Sequence, residues 1–79
     1  MNTKKIIIYS TPTCHYCTMA KNYFTKMGVV YEDKNVGVDR ASAQEMIAKS
    51  GQMGVPVVDI GGQIIVGFQP ALFEKLING

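Results

Sequence analysis

Cys14 and Cys17 are the only cysteines in a chain of 79 residues, and only His15 and Tyr16 separate them. If this stretch opens a helix, positions i and i+3 share a face, with Cβ atoms roughly 5–6 Å apart. Disulfides accept Cα separations of about 4.4–6.8 Å, so small rotamer changes bring two such sulfurs into bonding range. One site can then hold a dithiol or a disulfide without refolding, as a reversible two-electron redox centre requires. Cys14 would stand at the helix N-terminus, where unpaired N–H groups and the helix dipole favour an anion by about 0.3–2 kcal/mol. The thiolate is the nucleophilic form of cysteine. Cys17 falls on an apolar stripe with Ala20 and Phe24 and should be the more buried of the two. Cys14 is therefore expected to attack, and Cys17 to resolve the mixed disulfide formed on Cys14.

Other chemistries of this tetrapeptide are weaker. A structural disulfide closing so short a ring would stabilise by only about 2 kcal/mol in the loop-entropy model. A closed zinc site needs four ligands at longer spacings, and His15 is adjacent to Cys14 with no second CxxC. A metal or iron–sulfur carrier, with a cluster shared between two chains, is the alternative outside thiol chemistry. His15 has two readings: an imidazolium that stabilises the Cys14 thiolate, or a solvated residue at a helix start. Tyr16 likewise forms an aromatic wall beside the sulfur or simply lies exposed.

The elements that must position the cysteines can be read along the chain. Lys4–Tyr9 is apolar on successive residues after its lysines, as in a strand covered on both faces. Ser10-Thr11-Pro12-Thr13 turns into a helix beginning near Cys14. Its apolar residues recur at Cys17, Ala20, Phe24 and Met27, and Gly28 fits the stop. Val29–Asn35 reads as a second strand. Asp39 and Ser42 are both candidate caps of a second helix, Ser42 forming a capping box with Glu45. Ala43, Met46 and Ile47 form its stripe, and Gly51 ends it. Pro56–Ile60 and Gln63–Val66 are strands around the turn Gly61-Gly62. Pro70 suits the first position of a last helix, with Phe73, Leu76 and Ile77 inward.

The order is thus βαβαββα, an α/β fold. A helix joins the first two strands, which should be parallel with a right-handed crossover. The last two strands form an antiparallel hairpin. One four-stranded mixed sheet with helices on both faces uses every apolar stripe. Residues 1–79 are expected to form a single small domain.

Composition narrows the function. Hydrophobic residues make up 47% of the chain, a globular value, and the net charge is only +2 with no basic block. Neither nucleic acid nor an anionic membrane surface is implied. Met1-Asn2-Thr3-Lys4-Lys5 resembles a signal-peptide n-region, but Ile6-Ile7-Ile8-Tyr9 is too short for an h-region. No apolar run approaches the ~18 residues of a membrane span. The default address is the cytoplasm, where a CxxC is catalytic or metal-binding more often than structural. The chain is expected to act as a monomer.

These residues together resemble the glutaredoxin family of the thioredoxin fold. The matches are Thr13-Cys14-His15-Tyr16-Cys17 after the first strand, Val55-Pro56 before the third, Gly67 after the fourth, and the element order. The resemblance implies a thiol-disulfide oxidoreductase acting on protein or low-molecular-weight disulfides, with no prosthetic group. It implies a cis Val55–Pro56 bond facing the CxxC, whose backbone pairs with an extended substrate. Thr11, His15, Tyr16, Val55, Pro56, Gly67 and Phe68 then line the substrate site, although Phe68 also reads as a core residue capping the last helix. Glutathione is the family's usual electron donor. Here Thr11 stands where the family often has a lysine, and Gln69-Pro70 where it often has acids. Gly67-Phe68-Gln69-Pro70 is closer to the Gly-Phe-Arg-Pro of glutaredoxin-like redoxins recharged by thioredoxin reductase.

Overall fold

The computed structural model describes residues 5–78; the basic start through Lys4, weighed above as a leader and as a strand beginning, lies outside them. Strand β1 runs Ile6–Ser10, helix α1 His15–Met27, strand β2 Glu32–Asn35 and helix α2 Arg40–Ser50. Strands β3 (Val57–Ile60) and β4 (Gln63–Val66) and helix α3 (Pro70–Asn78) complete the order. The sheet order is β2-β1-β3-β4. Strand β1 is parallel to β2 and antiparallel to β3, and β3 is antiparallel to β4. This is the expected thioredoxin fold.

Every residue of β1 is buried, which explains its unbroken apolar run. Alternate residues serve opposite faces. Ile6 and Ile8 join Ala20, Phe24, Val58, Ile60, Ile65, Phe73 and Ile77 beneath α1 and α3. Ile7 and Tyr9 join Met46 and Val57 beneath α2. The parallel β1–β2 register and the antiparallel β3 and β4 gather one set of strand ends. Ser10, Asn35, Val57 and Val66 all lie there, so the loops beyond them converge on the start of α1.

One boundary differs from expectation, and two features of α2 follow from its own contacts. Strand β2 begins at Glu32, not Val29, because Gly28 closes α1 in the left-handed conformation and the Val29 N–H bonds the Phe24 carbonyl. Val30 is left 90% exposed. Helix α2 is capped by Asp39 and not by a Ser42–Glu45 box. The Asp39 carboxylate accepts the Ala41 N–H at 3.2 Å and the Ser42 hydroxyl at 2.6 Å, while Glu45 turns to Tyr9 and Lys34. The expected α2 stripe is only partly realised, since Met46 is buried but Ile47 is 39% exposed.

Polar contacts hold α2 instead. The buried Tyr9 hydroxyl donates to Glu45 and accepts from the Lys49 ammonium at 2.8 Å. Lys49 also donates to Asp59 at 2.8 Å, and Lys34 to Glu45 at 2.9 Å. The Tyr9 hydrogen bond, then that of Lys34, pulls the Glu45 carboxyl down to about 2. The Asp59 hydrogen bond, then that of Tyr9, pushes Lys49 up. At the hairpin, Gly61 and Gly62 adopt φ of 58° and 97°, and the Gly62 N–H donates to Asp59 at 2.8 Å.

Candidate active site

The chain leaves β1 at Ser10 and turns once, the Cys14 N–H reaching the Thr11 carbonyl at 3.3 Å. Cys14 is extended, with φ −87° and ψ 112°, and is the N-cap of α1. Its sulfur accepts the Cys17 N–H at 3.2 Å, occupying the place a serine or aspartate oxygen would fill. The sulfur thus satisfies one of the N–H groups that the first turn of a helix leaves unpaired. The Cys14 S–H also approaches the Val55 carbonyl at 3.8 Å.

Both cysteines are free, Cys14 partly exposed and Cys17 fully buried. Burial is the main reason the Cys17 thiol is pushed up to about 12; its hydrogen bond with Cys14 adds to this, while a backbone hydrogen bond from Thr11 and the Lys21 charge oppose it. At neutral pH Cys17 is a thiol. Cys14 alone is placed where solvent and a substrate can reach it.

The loops of this end complete the site. The Val55–Pro56 peptide is cis. The Pro56 carbonyl accepts the Gly67 N–H at 2.8 Å, tying the β4–α3 turn to the loop before β3. Gly67 has φ of 90°, a conformation that favours glycine, although a Cβ there would meet nothing within 4 Å. His15 and Tyr16 are exposed and meet edge to face, their ring centres 5.9 Å apart. Tyr16, Val38 and Met53 leave large apolar groups in solvent at this end.

Two expected substrate residues have other contacts. Thr11 presents its backbone to both cysteines, and its side-chain methyl lies beside Gly37. Half-buried Phe68 packs against Tyr23 and Phe73, with ring centres 6.3 and 6.0 Å away. Phe68 therefore has the core contacts of its alternative reading.

Sequence reasoning missed two polar devices. The Gln52 amide clasps the loop before Val55: it accepts the Gly54 N–H at 2.6 Å and donates to the Gly54 carbonyl at 3.0 Å. Nothing in the sequence marks this clasp. One turn after Cys17 on α1, Lys21 places its ammonium 2.9 Å from Asp33, which accepts the Ser10 hydroxyl at 2.6 Å. The four-residue spacing from Cys17 to Lys21 was the available signal. Among the described residues, no group of three or more His, Cys, Asp and Glu side chains is arranged to hold a metal ion.

The glutaredoxin family model matches residues 6–65, which include both cysteines and the Val55-Pro56 loop. The chain belongs to the glutaredoxin family. A glutaredoxin-like 8.6 kDa protein in the rubredoxin operon of Clostridium pasteurianum is 47% identical over 73 residues, covering 92% of this chain and 97% of that one. Among solved structures, a mutant of the thioredoxin-like protein BC3987 superposes with a TM-score of 0.89 at 30% identity, over 94% of this chain and 95% of that one. The glutaredoxin-like NrdH-redoxin of Escherichia coli, described as having a thioredoxin-like activity profile, gives 0.82 at 29% identity, over 91% and 93%. As a member of this family, the chain is a thiol-disulfide oxidoreductase. Among the described residues, no helix is long and apolar enough to cross a membrane.

Proposed function

We infer that this glutaredoxin-family protein reduces disulfides of proteins or small thiols by a dithiol cycle and is recharged by a thioredoxin-reductase-type donor. Cys14 attacks a substrate disulfide, forming one S–S bond and expelling one substrate sulfur as a thiolate. Cys17 then attacks Cys14, and the second substrate sulfur leaves. Two electrons from the reductase restore both thiols. One observation carries this reading: a partly exposed N-cap cysteine and a fully buried partner share one turn of helix, the Cys17 N–H 3.2 Å from the Cys14 sulfur. The backbone of Val55, which the Cys14 sulfur approaches, would pair with the extended substrate. Gly67 would leave room beside it, and the exposed Tyr16 and Met53 suit an apolar protein surface. A reducing compartment such as the cytoplasm is the matching address.

The donor follows from charge. Glutathione carries two carboxylates and an ammonium group. Thr11 offers a hydroxyl, and Gln69-Pro70 no carboxylate, where the family often has charges. A charge-assisted hydrogen bond contributes about 1.5–3 kcal/mol, a neutral one about 0.5–1.5. Two such exchanges weaken binding roughly 10–100-fold at ~1.4 kcal/mol per decade. The thioredoxin-like profile described for the E. coli relative agrees with this choice. The test supplies disulfide substrate with NADPH and either thioredoxin reductase or glutathione plus glutathione reductase. Sustained turnover is expected with the first and roughly tenfold poorer turnover with the second. Efficient glutathione-driven turnover, with none from thioredoxin reductase, would make the protein a glutathione-dependent glutaredoxin.

A further inference from the structure

The resolving step poses a problem that the CxxC alone does not solve. Cys17 must become a thiolate, yet its sulfur is fully buried and its thiol is held up chiefly by that burial. While Cys14 carries charge, the two sulfurs also oppose each other. Forming the mixed disulfide on Cys14 removes that charge, but the burial remains.

The groups around Cys17 supply an answer. Lys21 lies one turn after Cys17 on α1, a spacing that stacks the two side chains on one face with Cβ atoms about 5–6 Å apart. The lysine does not swing freely. Its ammonium is held 2.9 Å from the Asp33 carboxylate of β2, and the other oxygen of Asp33 is held by the hydroxyl of Ser10, buried at the end of β1. Three elements thus fix one cation a turn of helix away from the buried sulfur. Burial and Cys14, the N-cap of α1, hold the Cys17 thiol up; the Thr11 backbone and, more weakly, the Lys21 charge oppose them, and Lys21 is the cation among these groups.

We propose that Lys21, braced by Asp33 and Ser10, is a positioning residue for the resolving half-reaction, stabilising the Cys17 thiolate that attacks the mixed disulfide. In that step the Cys17–Cys14 sulfur bond forms as the bond from Cys14 to the substrate sulfur breaks. The electron pair leaves with the substrate sulfur, and the proton shed by Cys17 passes through solvent to the departing thiolate. Lys21 keeps its proton throughout. Its contribution is the field of a charge held in place at a half-buried position, acting on a sulfur that is itself fully buried. The proposal rests on the reading of Cys17 as the resolving cysteine.

Each unit by which the thiol pKa rises makes the thiolate tenfold scarcer and about threefold more nucleophilic, so the net loss is about threefold per unit. Reduced full-length protein mixed rapidly with a nitrobenzoate disulfide should release coloured thiolate in two phases, attack by Cys14 and then resolution by Cys17. Lys21→Met is expected to leave the first phase within about twofold and slow the second about three- to tenfold, with its pH profile moved toward alkali. Lys21→Arg should restore both rate and profile. Asp33→Asn keeps an amide oxygen to hold the Lys21 ammonium and an amide N–H for Ser10 while removing the neutralising anion, so the second phase should be as fast as in the parent or faster. A second phase unchanged by Lys21→Met overturns the proposal. Equal slowing by Lys21→Met and Asp33→Asn also overturns it, because the effect would then belong to a lost ion pair. Cys17→Ser separates the two levels: it should abolish the second phase, and a second phase that persists there refutes the assignment of Cys17 itself.

Discussion

The two faces of the sheet are held by different physics. Under α1 and α3 lies an apolar cluster with aromatic rings at its centre, Phe24 and Phe73 having ring centres 5.1 Å apart. Under α2 the apolar set is small, and the Tyr9, Glu45, Lys49, Asp59 and Lys34 network closes the gap between helix and sheet. The redox pair rides on the apolar face. Thiol-disulfide chemistry depends on pH through its thiolates, and a helix held by dispersion and burial keeps its place while they titrate. The α2 face carries no part of the CxxC and can rely on charges.

Breaking the apolar face should do the most damage. Phe24→Ala removes a fully buried ring from the face that anchors α1, and a loss of about 3–5 kcal/mol is expected in urea unfolding. In a small domain that removes much of the total stability. Activity should fall with the folded fraction.

The polar face should respond less, and differently. Lys49→Met deprives Asp59 and the Tyr9 hydroxyl of a donor, and about 1–3 kcal/mol should be lost. The two faces then separate by their side effects. Hydrogen exchange should quicken in α2 after Lys49→Met and leave α1 near its parent rate. A similar loss of protection in α1 would mean that the faces are coupled.

The smallest effect is a pH response of the same face. The Glu45 carboxyl, held near 2 when folded, binds its proton less readily than the unfolded chain, where a glutamate titrates near 4.3. Its stabilising contribution is therefore complete above about pH 5 and is lost as pH falls toward 2. Acid titration followed by hydrogen exchange should loosen α2 before α1. In Glu45→Gln this part of the acid sensitivity should disappear.

The same contrast explains what could be read from the chain. The α1 stripe of Cys17, Ala20 and Phe24, its stop at Gly28, the Gly61-Gly62 hairpin and the start of α3 at Pro70 are local patterns, and each is realised. The polar face was not legible, because Tyr9 meets Glu45 and Lys49 across 36 and 40 residues of chain. Spacing on one helix marked Glu45 as a cap partner, whereas a buried hydroxyl on β1 offered it a better one. The late start of β2 was hidden for a related reason: the Val29 amide serves the end of α1 before any strand can begin. In the site, the cysteine positions were readable from type and spacing. The backbone role of Thr11, the Gln52 clasp and the Lys21–Asp33–Ser10 brace depend on contacts that only the fold creates.

The division of labour between a partly exposed and a buried cysteine is tested most directly by alkylating the folded, reduced protein with iodoacetamide at neutral pH and following each cysteine by peptide mass. Cys17, fully buried with its thiol pushed up to about 12, should resist, while Cys14 should be modified at least about 100-fold faster. Labelling of Cys17 as fast as Cys14, or faster, in protein shown to remain folded would contradict the assignment of attack to Cys14 and resolution to Cys17.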